Sequence, residues 1–224
     1  MRLSLRRVGL LLVLLGPASA RSAPQSSVAQ SSVAQSPNDP VRVTSLGNGT
    51  FRLSRGRVSR VADLRSGISG CWGRLYDRSQ GQGPGTQGSG SVSARVLDLA
   101  RRAGHWYLVL QIDTNSRCDI QGPCGAATNT DVLWLKFTPG LALAARQATP
   151  VATCTPDTEL TRGAGRRPGE GRPPALELSD GVLALESRTR HHDGTPDLLT
   201  TLRYDRRTPE RGLNVHRRAA APLP

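Results

Sequence analysis

Between Trp106 and Asp113 the chain alternates with a period of two. Trp106, Leu108, Leu110 and Ile112 fall on one side of an extended strand, and Tyr107, Val109, Gln111 and Asp113 on the other. A helix would scatter these residues around its axis, so this segment commits the region to a sheet. Ser91 to Leu99 alternates too, with Val92, Ala94, Val96 or Leu97 competing to set the phase, and the helix formers Ala100 to Ala103 make a helix over 92–103 the alternative.

Three turn signals organise the neighbouring strands. Leu133, Leu135 and Phe137 run into Thr138-Pro139-Gly140 and then Leu141, Leu143 and Ala145. A three-residue loop there sets Phe137 opposite Leu141, Leu135 opposite Leu143 and Leu133 opposite Ala145, which makes one face of the ribbon uniformly apolar. Asp180-Gly181 supports the positive φ angles of a two-residue turn, pairing Ser179 with Val182, Leu178 with Leu183 and Leu176 with Leu185. Asn48-Gly49 joins a strand over 42–47 to one over 50–54, with Leu46 opposite Phe51. A last strand runs from Leu198 to Tyr204. About eight short strands with few plausible helices predict an all-β domain, an antiparallel sandwich or a partly closed barrel, because every half-apolar ribbon must be covered.

The rest of the chain frames that domain. Arg2, Arg6 and Arg7 precede the apolar run Val8–Leu15, and Ala18-Ser19-Ala20 offers small residues for cleavage before Arg21. Residues 1–20 therefore read as an export signal, too short in its apolar part to span a bilayer, and no later stretch is apolar enough to make a membrane span in the mature chain. The protein is expected to be extracytoplasmic, either periplasmic or secreted. Residues 21–40, with the repeat Gln25-Ser-Ser-Val-Ala and Gln30-Ser-Ser-Val-Ala, read as a flexible low-complexity leader. The glycine-rich stretches 78–91 and 161–174 read as exposed loops inside one β-rich domain over 41–215, and 216–224 as a disordered basic tail.

Export places Cys71, Cys118, Cys124 and Cys154 in an oxidising compartment, where they are expected to form two structural disulfides. Gly122-Pro123 favours a local bridge between Cys118 and Cys124, leaving Cys71 to join Cys154. The longer link then contributes roughly 4 kcal/mol through loop closure and the shorter about 2. No Cys-x-x-Cys pair or zinc-type histidine spacing stands against this.

Charge bears on partners. The formal net charge of +13 falls to +10 once the three arginines of the signal are removed. A basic chain suits nucleic acid or an anionic wall polymer, yet Lys136 is the only lysine beside 29 arginines, and such a skew also follows from base composition of the gene.

Each chemical motif has a plainer reading. His191-His192-Asp193 lies in a turn before Gly194-Thr195-Pro196 and could offer metal ligands, but a solvated connection explains it equally. Asp113-Thr-Asn115-Ser-Arg117-Cys-Asp119 carries oxygen ligands at alternate positions, yet Cys118 and Cys124 stand where a calcium loop has glycine and glutamate. His105 could meet Asp113 or Asp131, and Glu177 could face Glu186, without any nucleophile elbow or metalloprotease helix to support hydrolysis. Gly81 to Gly90 lacks the Lys-Ser/Thr of a phosphate loop. Trp72, Trp106 and Trp134 could form a stacking platform, but the last two alternate with aliphatics as core residues do. Asn48-Gly49-Thr50 matches a glycosylation sequon.

No catalytic residue, cofactor or metal site is therefore assigned. The sequence reads as a non-catalytic secreted or envelope β domain with a binding or structural role, whose partner is an envelope protein or an anionic polymer. A basic module for wall polymer or nucleic acid, and an extracytoplasmic hydrolase of unnamed class, are the alternatives.

Overall fold

The computed structural model describes residues 41–47, 49–72, 92–119, 121, 124–125, 127–163 and 174–221. The export signal, the leader, Asn48 of the sequon, the Gly81–Gly90 loop and most of residues 161–174 lie outside the described residues. Eleven strands are described: β1 (Arg42–Gly47), β2 (Thr50–Arg55), β3 (Val58–Asp63), β4 (Ser93–Arg102), β5 (His105–Asn115), β6 (Thr128–Phe137), β7 (Leu143–Ala152), β8 (Asp157–Arg162), β9 (Val182–Arg190), β10 (Leu198–Asp205) and β11 (Asn214–Ala219). They form three antiparallel sheets, ordered β1-β2-β3, β4-β5-β6-β7 and β11-β10-β9-β8. None closes into a barrel, so the fold is an open sandwich.

The sandwich has three layers. Trp106, Leu108, Leu110 and Ile112 of β5, with Leu133, Leu135 and Phe137 of β6, pack against Phe51 and Leu53 of the first sheet, against Val41 just before it, and against Leu64 and Ile68. The opposite face of the same two strands carries Tyr107, Val109, Val132 and Trp134, which pack against Leu183, Leu185, Leu202 and Tyr204 of the third sheet. The β5 alternation is thus real, but both of its phases are buried. A strand covered on both faces needs apolar residues at successive positions, and Trp106 to Leu110 supplies them.

That double burial explains the register corrections. Phe137 pairs with Leu143, Leu135 with Arg146 and Leu133 with Ala148, not with Leu141, Leu143 and Ala145. The loop is longer than three residues because Leu141 turns into a positive φ of 63° and buries its side chain, with Thr138 Oγ1 accepting from the Ala142 amide. In the first hairpin Ser45 pairs with Phe51, a bulge follows, and Leu46 is left exposed instead of opposing Phe51. The Asp180-Gly181 turn does pair Ser179 with Val182, both turn residues having positive φ. Its ladder stops there, because Leu176 leaves to donate its amide to Gln111 Oε1 and to accept from Arg95 on the central sheet.

Residues 93–102 are strand, not helix, and a bulge between Val96 and Asp98 settles the competition of phases. Ala94 and Leu99 turn to the first core, whereas Leu97 and Ala100 turn to the second. Residues 216–219 belong to β11 and pair with β10, so that part of the expected tail is ordered sheet.

The disulfides join Cys71 to Cys118 and Cys124 to Cys154, correcting the expected pairs. Cys71 forms an isolated bridge with Asn115 at the end of β5, donating its amide to the Asn115 carbonyl at 2.6 Å, which brings it beside Cys118. Cys154 follows β7 and donates its amide to Asn129 Oδ1 on β6, beside the approach from Cys124. The tertiary pairing of strand ends, not the proximity of 118 and 124 in sequence, selects the partners.

Candidate functional site

Two regions concentrate polar side chains. The first is the disulfide-bonded end of the central sheet, where β5 and β6 turn from apolar to polar. Ile112 pairs with Asp131, Asp113 with Thr130 and Thr114 with Asn129. The pleat therefore sends Asp113 and Asp131 to opposite faces. Asp113 accepts from Gln111 Nε2 at 3.1 Å, Thr130 Oγ1 at 2.8 Å and Ser93 Oγ at 3.1 Å, so its carboxylate is well solvated by protein. Gln111 in turn donates to the Pro174 carbonyl at 2.7 Å, tying in the strap that leads to Leu176.

Asp131 is fully buried and accepts one side-chain hydrogen bond, from Ser69 Oγ to Oδ2 at 2.8 Å. Its Oδ1 has no partner among the described residues. Burial raises its pKa to about 6, helped by the negative charge of Asp113 and opposed by the Ser69 hydrogen bonds. Thr114 Oγ1 donates to the Ser69 carbonyl at 2.8 Å, so Ser69 is tied to both β5 and β6. This cluster anchors the segment after β3. Both carboxylates are closed from solvent and face different layers, so they do not form an acid–base pair around a substrate.

The second region is the exposed sheet β1-β2-β3. Segment 41–72 carries Arg42, Arg52, Arg55, Arg57, Arg60 and Arg65 against the single acid Asp63. Asp63 is already spoken for: Arg65 grips it bidentately, at 2.5 Å for the Nη2–Oδ2 pair, and holds its pKa down at about 2. Arg55 lies over one side of Trp106, 5.5 Å from the ring centroid, and Arg101 approaches the same ring at 5.3 Å. Arg42, Arg52, Arg57 and Arg60 are exposed, and no carboxylate among the described residues stands within ion-pair distance of them. The third layer contrasts sharply. Its described residues from 154 onward hold nine arginines and nine acids, with Arg188–Asp197 at 2.7 Å and Arg190–Glu159 at 2.6 Å among the pairs; Arg206 reaches Asp98 of β4 at 3.2 Å, and Arg203, Arg207, Arg211, Arg217 and Arg218 are exposed without an ion pair among the described residues.

The motifs noted in the sequence are kept apart. His105 sits at the far end of β5 from Asp113, roughly 26 Å away at strand rise, and its Nδ1 lies 3.1 Å from the Ala103 carbonyl. His191 and His192 are exposed, the latter 3.8 Å from Asp157, while Asp193 caps its own turn through Thr195. Asn115 and Asp119 serve local structure, Asp119 accepting from the Gln121 amide at 3.1 Å. Glu177 is exposed, and Glu186 faces Arg162 at 4.0 Å. Trp106 and Trp134 point into different cores, the latter donating to the Pro209 carbonyl at 2.9 Å, and Trp72 packs beside the first core. No group of three metal-ligating side chains occurs among the described residues.

Sequence inspection missed the arginine segregation, although its signal was available: within 41–72 the arginines outnumber acids six to one. The sequence singles out Asp131 only as a possible partner of His105; nothing in a local window marks it as buried. Two disulfides accord with an extracytoplasmic setting, and among the described residues no helix is long and apolar enough to cross a membrane. Comparison with protein-family models, with curated proteins and with solved structures gives no match.

Proposed function

We propose that this chain is a non-catalytic β domain, exported by residues 1–20 to a periplasm or the medium, whose β1-β2-β3 sheet binds an anionic partner. The observation that carries the reading is the uneven placement of charge. An arginine excess that merely followed gene composition would be spread over all three layers. Instead, among the described residues, the third layer holds equal numbers of arginines and acids, whereas segment 41–72 holds six arginines to one acid. Arg42 and Arg52 project from the outward face of this sheet, and like charges held close raise the free energy of the folded domain by self-repulsion, which a ligand that neutralises them would relieve.

The test is the binding of purified protein to a panel of polyanions at rising ionic strength. Affinity should fall linearly on a log–log plot against salt, as counterion release requires. Failure to bind nucleic acid, polyphosphate, acidic polysaccharide and acidic polypeptide at low ionic strength would sink the proposal.

A further inference from the structure

We infer that the occupant of this face is an acidic polysaccharide, its carboxylate or sulfate groups taken by Arg42, Arg52 and Arg57 and its hydroxyls by Thr44, Ser54 and Ser59. The inference rests on the reading above that the partner is anionic, and adds the class of polymer.

The register sets out the pattern. Phe51 and Leu53 point into the core, so Arg52 and Ser54 point outward. Arg52 stands opposite Thr44, and Ser54 stands between Arg42 on β1 and Ser59 on β3. One outward rung across the three strands is therefore Thr44, Arg52 and Val61, and the next is Arg42, Ser54 and Ser59, the two rungs lying about 7 Å apart along the strands. Arg57 stands exposed in the tight turn between β2 and β3, next along the chain after this rung, where Gly56 has a φ of 55°. Among the described residues no ion pair draws these three arginines to a common point. The row is suited to separated charges on an extended chain, not to one compact ion.

Three other polyanions fit less well. Single-stranded nucleic acid gains much of its affinity from bases stacked on aromatic rings, whereas Phe51 and Trp72, the aromatic residues of this segment, pack into the core beneath. A membrane surface would take apolar side chains into its interface, and Leu46 and Val61 are the only large aliphatics exposed on the described part of this sheet. An acidic polypeptide would use the guanidiniums, and its carboxylates and backbone carbonyls could accept from the hydroxyls, but acidic residues bring no group that both donates and accepts. A sugar polymer engages both, since each hydroxyl can donate and accept.

The experiment uses the full chain with its disulfides intact and compares polygalacturonate, dextran sulfate, neutral dextran, oligothymidylate, polyglutamate and phosphatidylglycerol vesicles at matched low ionic strength. One of the two acidic polysaccharides should bind most tightly, with the carboxylated and sulfated arms distinguishing the anion. The R42A/R52A/R57A variant should lose about tenfold or more in affinity, with a shallower salt slope, while R203A/R211A/R218A on the third layer keeps its binding. Oligothymidylate, polyglutamate or vesicles binding as tightly as the polysaccharides would overturn the inference while leaving an anionic partner in place. Undiminished binding by the R42A/R52A/R57A variant would overturn the assigned face. Binding to none of the polyanions would remove the broader reading as well. Should the triple variant melt early, R52E alone carries the same comparison, since Arg52 is exposed and without an ion-pair partner among the described residues.

Discussion

Asp131 shows how little of a residue's role is visible in its neighbours along the chain. Asp131-Val132 begins an apolar stretch that reads as an ordinary strand start, yet the side chain is fully enclosed and its pKa stands at about 6. The sign of the consequence follows from linkage. An unfolded aspartate titrates near 3.9, so the folded state favours the protonated form, and stability falls as pH rises from about 4 through about 6. The full effect is about 3 kcal/mol for a shift of roughly two units. In Asp131→Asn that pH dependence should disappear from the urea midpoint measured between about pH 4 and pH 7, because the amide does not ionise while its oxygen still accepts from Ser69. The midpoint at neutral pH should move less than the full amount, since the new buried N–H costs about 1–3 kcal/mol if unpaired. A variant with the same downward slope as the parent would show that another group is responsible.

At the scale of elements, the segment from Leu64 to Trp72 is the joint on which the first sheet is fastened. Gly70 lies there at a φ of 97°, and a Cβ at that position would collide with Thr114 Oγ1 and the Asn115 carbonyl of β5. Gly70→Ala should cost more than the usual 1 kcal/mol of a backbone substitution, because it also pushes Cys71 off its bridge with Asn115; a thermal melt with disulfides intact measures it. The turn signals were legible because Asp180-Gly181 and Asn48-Gly49 act locally. The registers of β6 with β7 and of β1 with β2 were not, since an apolar match is satisfied by several offsets and burial on a second face chooses among them. Disulfide choice belongs at this scale too. Non-reducing peptide mapping should recover Cys71–Cys118 and Cys124–Cys154, and removing either bridge by paired serine substitution should cost about 4 kcal/mol from loop closure, in loops of 47 and 30 residues' separation. Recovery of a 118–124 peptide would contradict the strand-end pairing.

For the molecule as a whole, the middle sheet is the part that both outer layers stabilise. Amides in β5 and β6 should exchange last in native-state hydrogen exchange, at the rate of global unfolding, while the exposed edges β3 and β11 exchange earlier; faster exchange from β5 than from β3 would contradict the three-layer packing. Apolar alternation in Trp106–Ile112, tight-turn pairs and four cysteines determined, from sequence alone, that the chain is antiparallel β sheet held by two disulfides. These are short-range signals, set by the pleat, by turn sterics and by thiol chemistry. Which cysteines meet, how the strands register, and that the sheet containing Trp106 is covered twice were decided by tertiary structure. Each depends on residues tens of positions apart, and only packing one layer on another brings them together.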